Sequence, residues 1–382
     1  MTQGIYAHIW DGKKFCLGWM LWADGIITHL KFNKPTKSIK AQLVNAPDSY
    51  LIPGFVDTLL HGYSGVDCGS GTVKGLKKLT ENLVREGVTT ALAGFYPTNN
   101  HNLISAAKRY DKLKNLGGAR TRIAGWHVEG PFISRRMAGA LPKSAINSPS
   151  RNAAIKFVEA CGGWLKMSTV SPELSKIEEV QVVFNENGVC PSVGHTRATY
   201  LDCQMLGANG VIAATHLGNR MLPLSARELG PIGFAMKGGF DWVSVIPDGV
   251  HVDFDTLALW AGTSKLKNKL MACSDNLSYA GTRKQLFSSG GKKLHKSGCV
   301  AVDEHGGLAG TLEPLSQLLL KAKRDGLLTL AQVINHGCSI PGDFIGDCGR
   351  IQINRRADFV QFSPESNTLG DVWVLGERLC NS

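Results

Sequence analysis

The chain lacks any apolar run of the roughly 18 residues that a membrane-crossing helix needs, so no spanning segment and no membrane partner are expected. Its first residues, Met-Thr-Gln-Gly-Ile-Tyr-Ala-His, show no basic stretch followed by an apolar one, and no secretion signal is read there. No Cys-x-x-Cys pair occurs. The ten cysteines are scattered, and several, such as Cys190 and Cys273, fall in apolar strand-like runs where a thiol behaves as a small hydrophobe. This argues against a disulfide framework and for a reduced, cytoplasmic protein. There is no Gly-x-x-x-x-Gly-Lys nucleotide loop and no Gly-x-Ser-x-Gly elbow, so phosphoryl transfer and a serine nucleophile fit poorly. Low-complexity segments and internal repeats are absent as well.

What is present is ordinary in bulk. At 382 residues with 43% hydrophobic and 19% charged content, the chain can bury a large core as one big domain or one and a half. The net charge is +11, but the basic residues are dispersed and not interleaved with aromatics. Nucleic acid is therefore not expected as a partner. An anionic small substrate, or a merely basic surface, explains the charge as well.

Residues 1–50 read as short β segments at 5–10, 18–22, 26–32 and 41–45, with Asp-Gly turns at 11–12 and 24–25. The end of the chain matches them, with strand-like runs at 349–353, 357–362 and 371–379. Between lie eight candidate strands at 51–57, 88–94, 122–128, 165–170, 189–194, 211–215, 242–247 and 270–274. Helical stretches separate most of them; 73–86 places Leu76, Leu79, Leu83 and Val84 on one face. The pattern predicts an α/β fold: a (β/α)8 TIM-like barrel over 51–348, with a small β-sandwich domain built from 1–50 plus 349–382. The stretch 278–306, rich in Gly, Ser and Lys, reads as a long active-site loop or hairpin.

In such a barrel the loops after the strands build the active site. His61, Glu129, His195, His216, His251 and Asp275 all follow candidate strands. A single histidine at a strand end is more often a hydrogen-bonded structural residue than a ligand; the set at successive strand ends reverses that balance. Glu129, His195 and His216 make a sound ligand set for one divalent metal with open positions for water. Zinc stands first, with iron, cobalt and manganese compatible with the same donors. Asp275, after the eighth strand, can move a proton from water to a leaving group; its alternative is an N-cap. His251 can bind a substrate oxygen or phosphate, or be a rim histidine without a role. Arg227 could fork an anion, although a loop arginine in isolation is usually just solvated. His61 is a second-metal ligand or an orienting group, because Leu59 stands where a His-x-His pair would have its first member.

With these residues in place, the chain resembles the N-acetylglucosamine-6-phosphate deacetylases of the amidohydrolase superfamily over essentially its full length. The motifs are Pro-Gly-Phe-Val-Asp at 53–57, His-Val-Glu-Gly-Pro at 127–131, Gly-His-Thr at 194–196 and Thr-His-Leu-Gly-Asn at 215–219. Asp-Gly-Val-His-Val-Asp at 248–253, Ser-Asp at 274–275 and Leu-Ala-Gly-Thr at 308–311 complete them. The resemblance implies the same metal ligands, Asp275 as acid/base, and substrate contacts from Asn219, Arg220, Arg227, His251, Leu308, Ala309 and Gly310. It further implies a homodimer in which Arg227 serves the phosphate, often across the interface. The implied reaction removes acetyl from N-acetylglucosamine 6-phosphate or a close N-acetyl hexosamine phosphate. Another amidohydrolase reaction, on a cyclic amide or an N-acyl amino acid, or a non-catalytic binding role, are the competing readings. The chain departs from the family at Gly139-Ala140-Leu141, where members commonly carry Gly-Ala-His and that His touches the acetyl carbonyl. Ala140 and Leu141 are therefore expected at the substrate, with a carbonyl donor missing. The loop after Asp275 is also more polar and basic than usual. Both departures mark a divergent branch.

Overall fold

The computed structural model describes residues 3–118, 120–289 and 291–380. An eight-stranded parallel sheet forms its centre: β1 (Phe55–Leu60), β2 (Val88–Phe95), β3 (Arg122–Val128), β4 (Leu165–Val170), β5 (Cys190–Val193), β6 (Ala213–Ala214), β7 (Trp242–Val245) and β8 (Leu270–Ala272), hydrogen-bonded in that order. The gap from β8 back to β1 is bridged by Asp275 N donating to Leu59 O at 2.9 Å and by a parallel bridge from Leu60 to Asn276. This is the barrel that the alternation of strands and helices predicts.

Helices on the outside start where side chains can satisfy their free amides. Thr72 caps Val73–Leu83, Asn99 caps Asn100–Lys114 and Ser150 caps Arg151–Ala160, while Thr199 and Asp202 form a capping box at Tyr200–Gly207. The amphipathic stretch 73–86 ends in a single 3-10 turn, Val84–Glu86, and buries Leu76, Leu79 and Leu83 against the barrel. These faces belong to one large apolar cluster around the strands.

The two ends of the chain build one seven-stranded sheet, in the order Glu377–Leu379, Thr368–Val374, Phe359–Ser363, Leu43–Pro53, Gln3–Trp10, Phe15–Ala23 and Ile26–Lys31. It curls back on itself. Trp22 and Phe359 lie on strands separated by two others, yet their rings meet at 5.6 Å, and Ile27 N donates to Arg355 O at 2.9 Å. The inner face is its own core of Ile5, Ile9, Met20, Trp22, Phe359 and Trp373. This is the sandwich arrangement expected of the two termini.

Three expectations need correction in detail. The run 51–57 is two strands: Leu43–Pro53 ends in the terminal sheet and Phe55–Leu60 opens the barrel. Gly54 is the crossing point, and a Cβ there would lie 2.2 Å from Thr89 Oγ1. Residues 349–353 form no strand, because the backbone crosses the end of the sheet, where Asn354 N donates to Ile27 O. The run 371–379 is a hairpin, with Leu375 and Gly376 at φ of 50° and 74° between its strands. The basic stretch 278–306 carries three antiparallel strands, Leu286–Ser289, Lys292–Ser297 and Val300–Asp303, and joins Leu308–Thr311 in a four-stranded sheet. No helix among the described residues is long and apolar enough to cross a membrane.

Candidate active site

Each chemistry-bearing side chain leaves the barrel at the carboxyl end of a strand. His61 follows β1, Glu129 follows β3, His195 and His216 follow β5 and β6, and Asp275 follows β8. Three of them sit in the left-handed backbone region, His195 at φ 48°, His216 at 33° and Asp275 at 51°, which L-residues adopt only at a cost. Hydrogen bonds with neighbouring strand ends hold the two histidine turns. His216 N donates to Ser244 Oγ at 2.8 Å, and Ser171 Oγ donates to His195 O at 2.8 Å.

The side chains converge on one buried carboxylate. His195 Nε2 and His216 Nε2 lie 3.1 and 2.9 Å from Glu129 Oε1, and His61 Nε2 lies 3.1 Å from Oε2. His61 Nε2 is also 3.2 Å from Asp275 Oδ1. Two groups of donors are thus close enough to hold a cation, Glu129–His195–His216 and His61–Glu129–Asp275, each with its ligand atoms within 4.8 Å of one another. The first has the nitrogen and oxygen donors that a catalytic divalent ion takes. Its geometry is prepared, since His195 Nδ1 is bound to Met137 O at 2.9 Å, which leaves Nε2 to the cluster. The residues present fit a divalent metal.

Charge follows from this packing. Burial by itself would raise the Glu129 carboxyl, but hydrogen bonds from His195, His216 and His61 outweigh it and hold it well below the usual carboxylate range. Burial opposes a charged His61, yet Asp275 and Glu129 override it and raise the imidazole to about 10. His216 moves upward for the same reason, against its burial. His127, one residue inside β3, goes the other way: burial lowers it to about 4. It is the center of an internal network, with Nδ1 on Thr58 O and Nε2 on Thr169 Oγ1, both at 3.0 Å.

The cluster forms the floor of a cavity of about 390 Å³. Of the expected substrate residues, Ala140, Leu141, Asn219, Arg220, His251, Leu308, Ala309 and Gly310 all line it. Leu308 to Gly310 reach it because their strand docks on the segment after β8, with Thr311 N donating to Asp275 O at 3.1 Å. His251 is fixed by Asp248, whose Oδ2 lies 2.6 Å from Nδ1, so Nε2 is the ring nitrogen left for a ligand. Arg227 is not brought in; it lies exposed on the loop after β6, outside the cavity of its own chain. Leu141 is buried among Ile133, Ala138 and Ile146 and gives the wall no hydrogen-bond donor from its side chain. Leu59 packs on Ile246 and Cys273, an apolar plug where a His-x-His pair would begin.

Sequence reasoning missed Tyr96, Met137, Met221 and Ile246, which also line the cavity. Tyr96 immediately follows β2. The strand-end rule would have found it, but a phenol is not the usual donor sought for a metal. Met137, Met221 and Ile246 carried no signal, being apolar residues in loops.

No protein-family model matches the chain. It is 28% identical over 297 residues to an N-acetylglucosamine-6-phosphate deacetylase of Bacillus subtilis, covering 77% of this chain and 75% of that protein. It is 27% identical over 370 residues to an N-acetylgalactosamine-6-phosphate deacetylase of a Shewanella strain, covering 94% and 90%. The crystal structure of an N-acetylglucosamine-6-phosphate deacetylase from Thermotoga maritima superposes with a TM-score of 0.86 at 25% identity, covering all of both chains. The chain is thus similar to these amino-sugar-phosphate deacetylases over most of their length, and its barrel and terminal sheet superpose end to end on one of them.

Proposed function

We propose that the protein hydrolyses the acetamide of N-acetylglucosamine 6-phosphate, or of a close N-acetyl hexosamine phosphate, to acetate and the amino-sugar phosphate. The observation that carries this reading is the meeting of Glu129, His195 and His216 at the floor of a cavity that Asp275 also lines. The named activities of the relatives supply the substrate class. Glu129, His195 and His216 would hold one divalent metal per chain, zinc first. When bound, such an ion supplies a Lewis acid that polarises a carbonyl and acidifies water.

The chain's own residues do the rest. Asp275 takes the proton of the attacking water and delivers it to the departing nitrogen, which must leave as an amine. His61 holds the Asp275 carboxylate in place through its Nε2. His251, Asn219 and Arg220 bind sugar or phosphate oxygens, while the backbone of Leu308 to Gly310 borders the sugar. Arg227 reads the phosphate of a neighbouring subunit's substrate in a homodimer, a placement that its exposure permits. The reaction belongs to the cytoplasm, and the catalytic barrel is separated from its supporting terminal domain by a boundary that falls at Gly54 rather than at 51.

Acetate release from phosphorylated and unphosphorylated N-acetyl hexosamines, run beside hydrolysis of cyclic amides and N-acyl amino acids, tests this. Turnover much faster with the 6-phosphates than with the unphosphorylated sugars is expected. Turnover only of cyclic amides or N-acyl amino acids would move the chain to another reaction, and none at all would leave a binding role.

A further inference from the structure

The site histidines are held in two ways. His195 and His251 each have Nδ1 fixed by an oxygen, at 2.9 and 2.6 Å, whereas Nδ1 of His216 and of His61 is buried with no hydrogen-bond partner, and His61 is the one with an aromatic ring stacked on it. Histidines of metal and proton-transfer sites depend on such a bond for their ring orientation. Two features of β2 and the residue beyond it take its place. Gly94 leaves room for the ring edge, since a Cβ there would stand 3.0 Å from His61 Nδ1. Tyr96, two residues on, lies flat on the imidazole, with ring centroids 4.2 Å apart and planes 12° from parallel.

The phenol ring is itself clamped from outside the barrel. It packs against the Ile133–Leu141 cluster on one side and the Leu277–Phe287 cluster of the covering sheet on the other. Its hydroxyl pairs with Ser289 Oγ at 3.2 Å on the strand Leu286–Ser289. A stacked aromatic contact stabilises beyond its buried area and favours one ring orientation over others.

From this geometry we propose that Tyr96 is a positioning residue for the reaction. By stacking, it fixes the rotation of His61 so that Nε2 stays between Glu129 and Asp275, and it does so in place of an Nδ1 hydrogen bond. The proposal rests on the reading that Asp275 relays the proton. The flat ring is the operative part; the hydroxyl only anchors it to Ser289.

The test compares Tyr96→Leu, which removes the ring, with Tyr96→Phe, which keeps it. Tyr96→Leu should lower kcat by about 10–100-fold with KM close to wild type, the size of effect seen when the support of a site histidine is lost. Tyr96→Phe should restore most of that rate. A second readout uses the metal-free protein labelled at histidine Cε1. The His61 resonance, identified by its loss in His61→Gln, should be shifted upfield by the tyrosine ring in wild type and Tyr96→Phe, and released in Tyr96→Leu. Wild-type kcat in Tyr96→Leu overturns the proposal, as does a Tyr96→Phe variant as slow as Tyr96→Leu, which would make the hydroxyl the working group. If no N-acetyl sugar is hydrolysed by the wild type, the reading of the substrate fails, and the resonance alone then decides the stack: an unshifted His61 signal sinks it.

Discussion

The amide of Ser274 donates to Asp57 Oδ1 at 3.0 Å, across 217 residues of sequence, and stitches the last barrel strand to the first. The same oxygen accepts from Leu59 N at 3.3 Å, so one buried carboxylate sets the spacing of the two strand ends that carry His61 and Asp275. Its other oxygen is buried without a partner.

That burial raises the Asp57 carboxyl to about 6, against hydrogen bonds from Ser274 and Leu59 that work the other way. The folded chain then keeps a proton that the unfolded chain has released, and stability falls as pH rises from about 4 to about 6. The loss should reach about 3 kcal/mol, and be complete above that window. Denaturant unfolding over a pH series should show it in the wild type and not in Asp57→Asn. Parallel profiles for the two proteins would falsify the assignment.

Glu129→Gln and His195→Ala should each lose bound metal and turnover while keeping the fold, because residues at the carboxyl ends of barrel strands serve chemistry more than stability. Elemental analysis of the dialysed wild type should find near one equivalent of metal per chain. The group His61–Glu129–Asp275 has only one imidazole, with Leu59 packed where a second would stand, so its hold on an ion should be weaker. A stable second equivalent would refute the single-metal reading, and full metal content in either variant would refute the ligands.

Asp275→Asn should keep its metal and lose most of its rate, since an amide of the same size cannot relay a proton. Metal content and kcat measured on one preparation check this. Wild-type turnover would remove Asp275 from the mechanism.

For Arg227→Ala, kcat/KM on a 6-phosphate substrate should drop about tenfold to a hundredfold, as expected for a charge-assisted fork worth roughly 1.5–3 kcal/mol. Unphosphorylated substrates should be nearly unaffected. Since Arg227 lies outside the cavity of its own chain, the effect should vanish if the protein is monomeric under assay. Equal losses on both substrates would show that this residue does not read the phosphate.

By itself, the sequence determined what is periodic or local. Apolar runs alternating with amphipathic helices specify the barrel, and the polar turn after each run places His61, Glu129, His195, His216 and Asp275 at one face, because every parallel strand ends on the same side. Only the tertiary structure decided which atoms meet. That three imidazoles share one carboxylate depends on ring rotations and on the left-handed turns at His195, His216 and Asp275, which no spacing encodes. The split of 51–57 at Gly54 was hidden because both halves are apolar, and the difference lies in which sheet each half pairs with. Tyr96 was hidden for a related reason. Its significance is a contact with a residue 35 positions away, made only when β1 and β2 lie side by side. Strand pairing is a long-range choice set by packing, and a chain read in one dimension records the partners without recording that they touch.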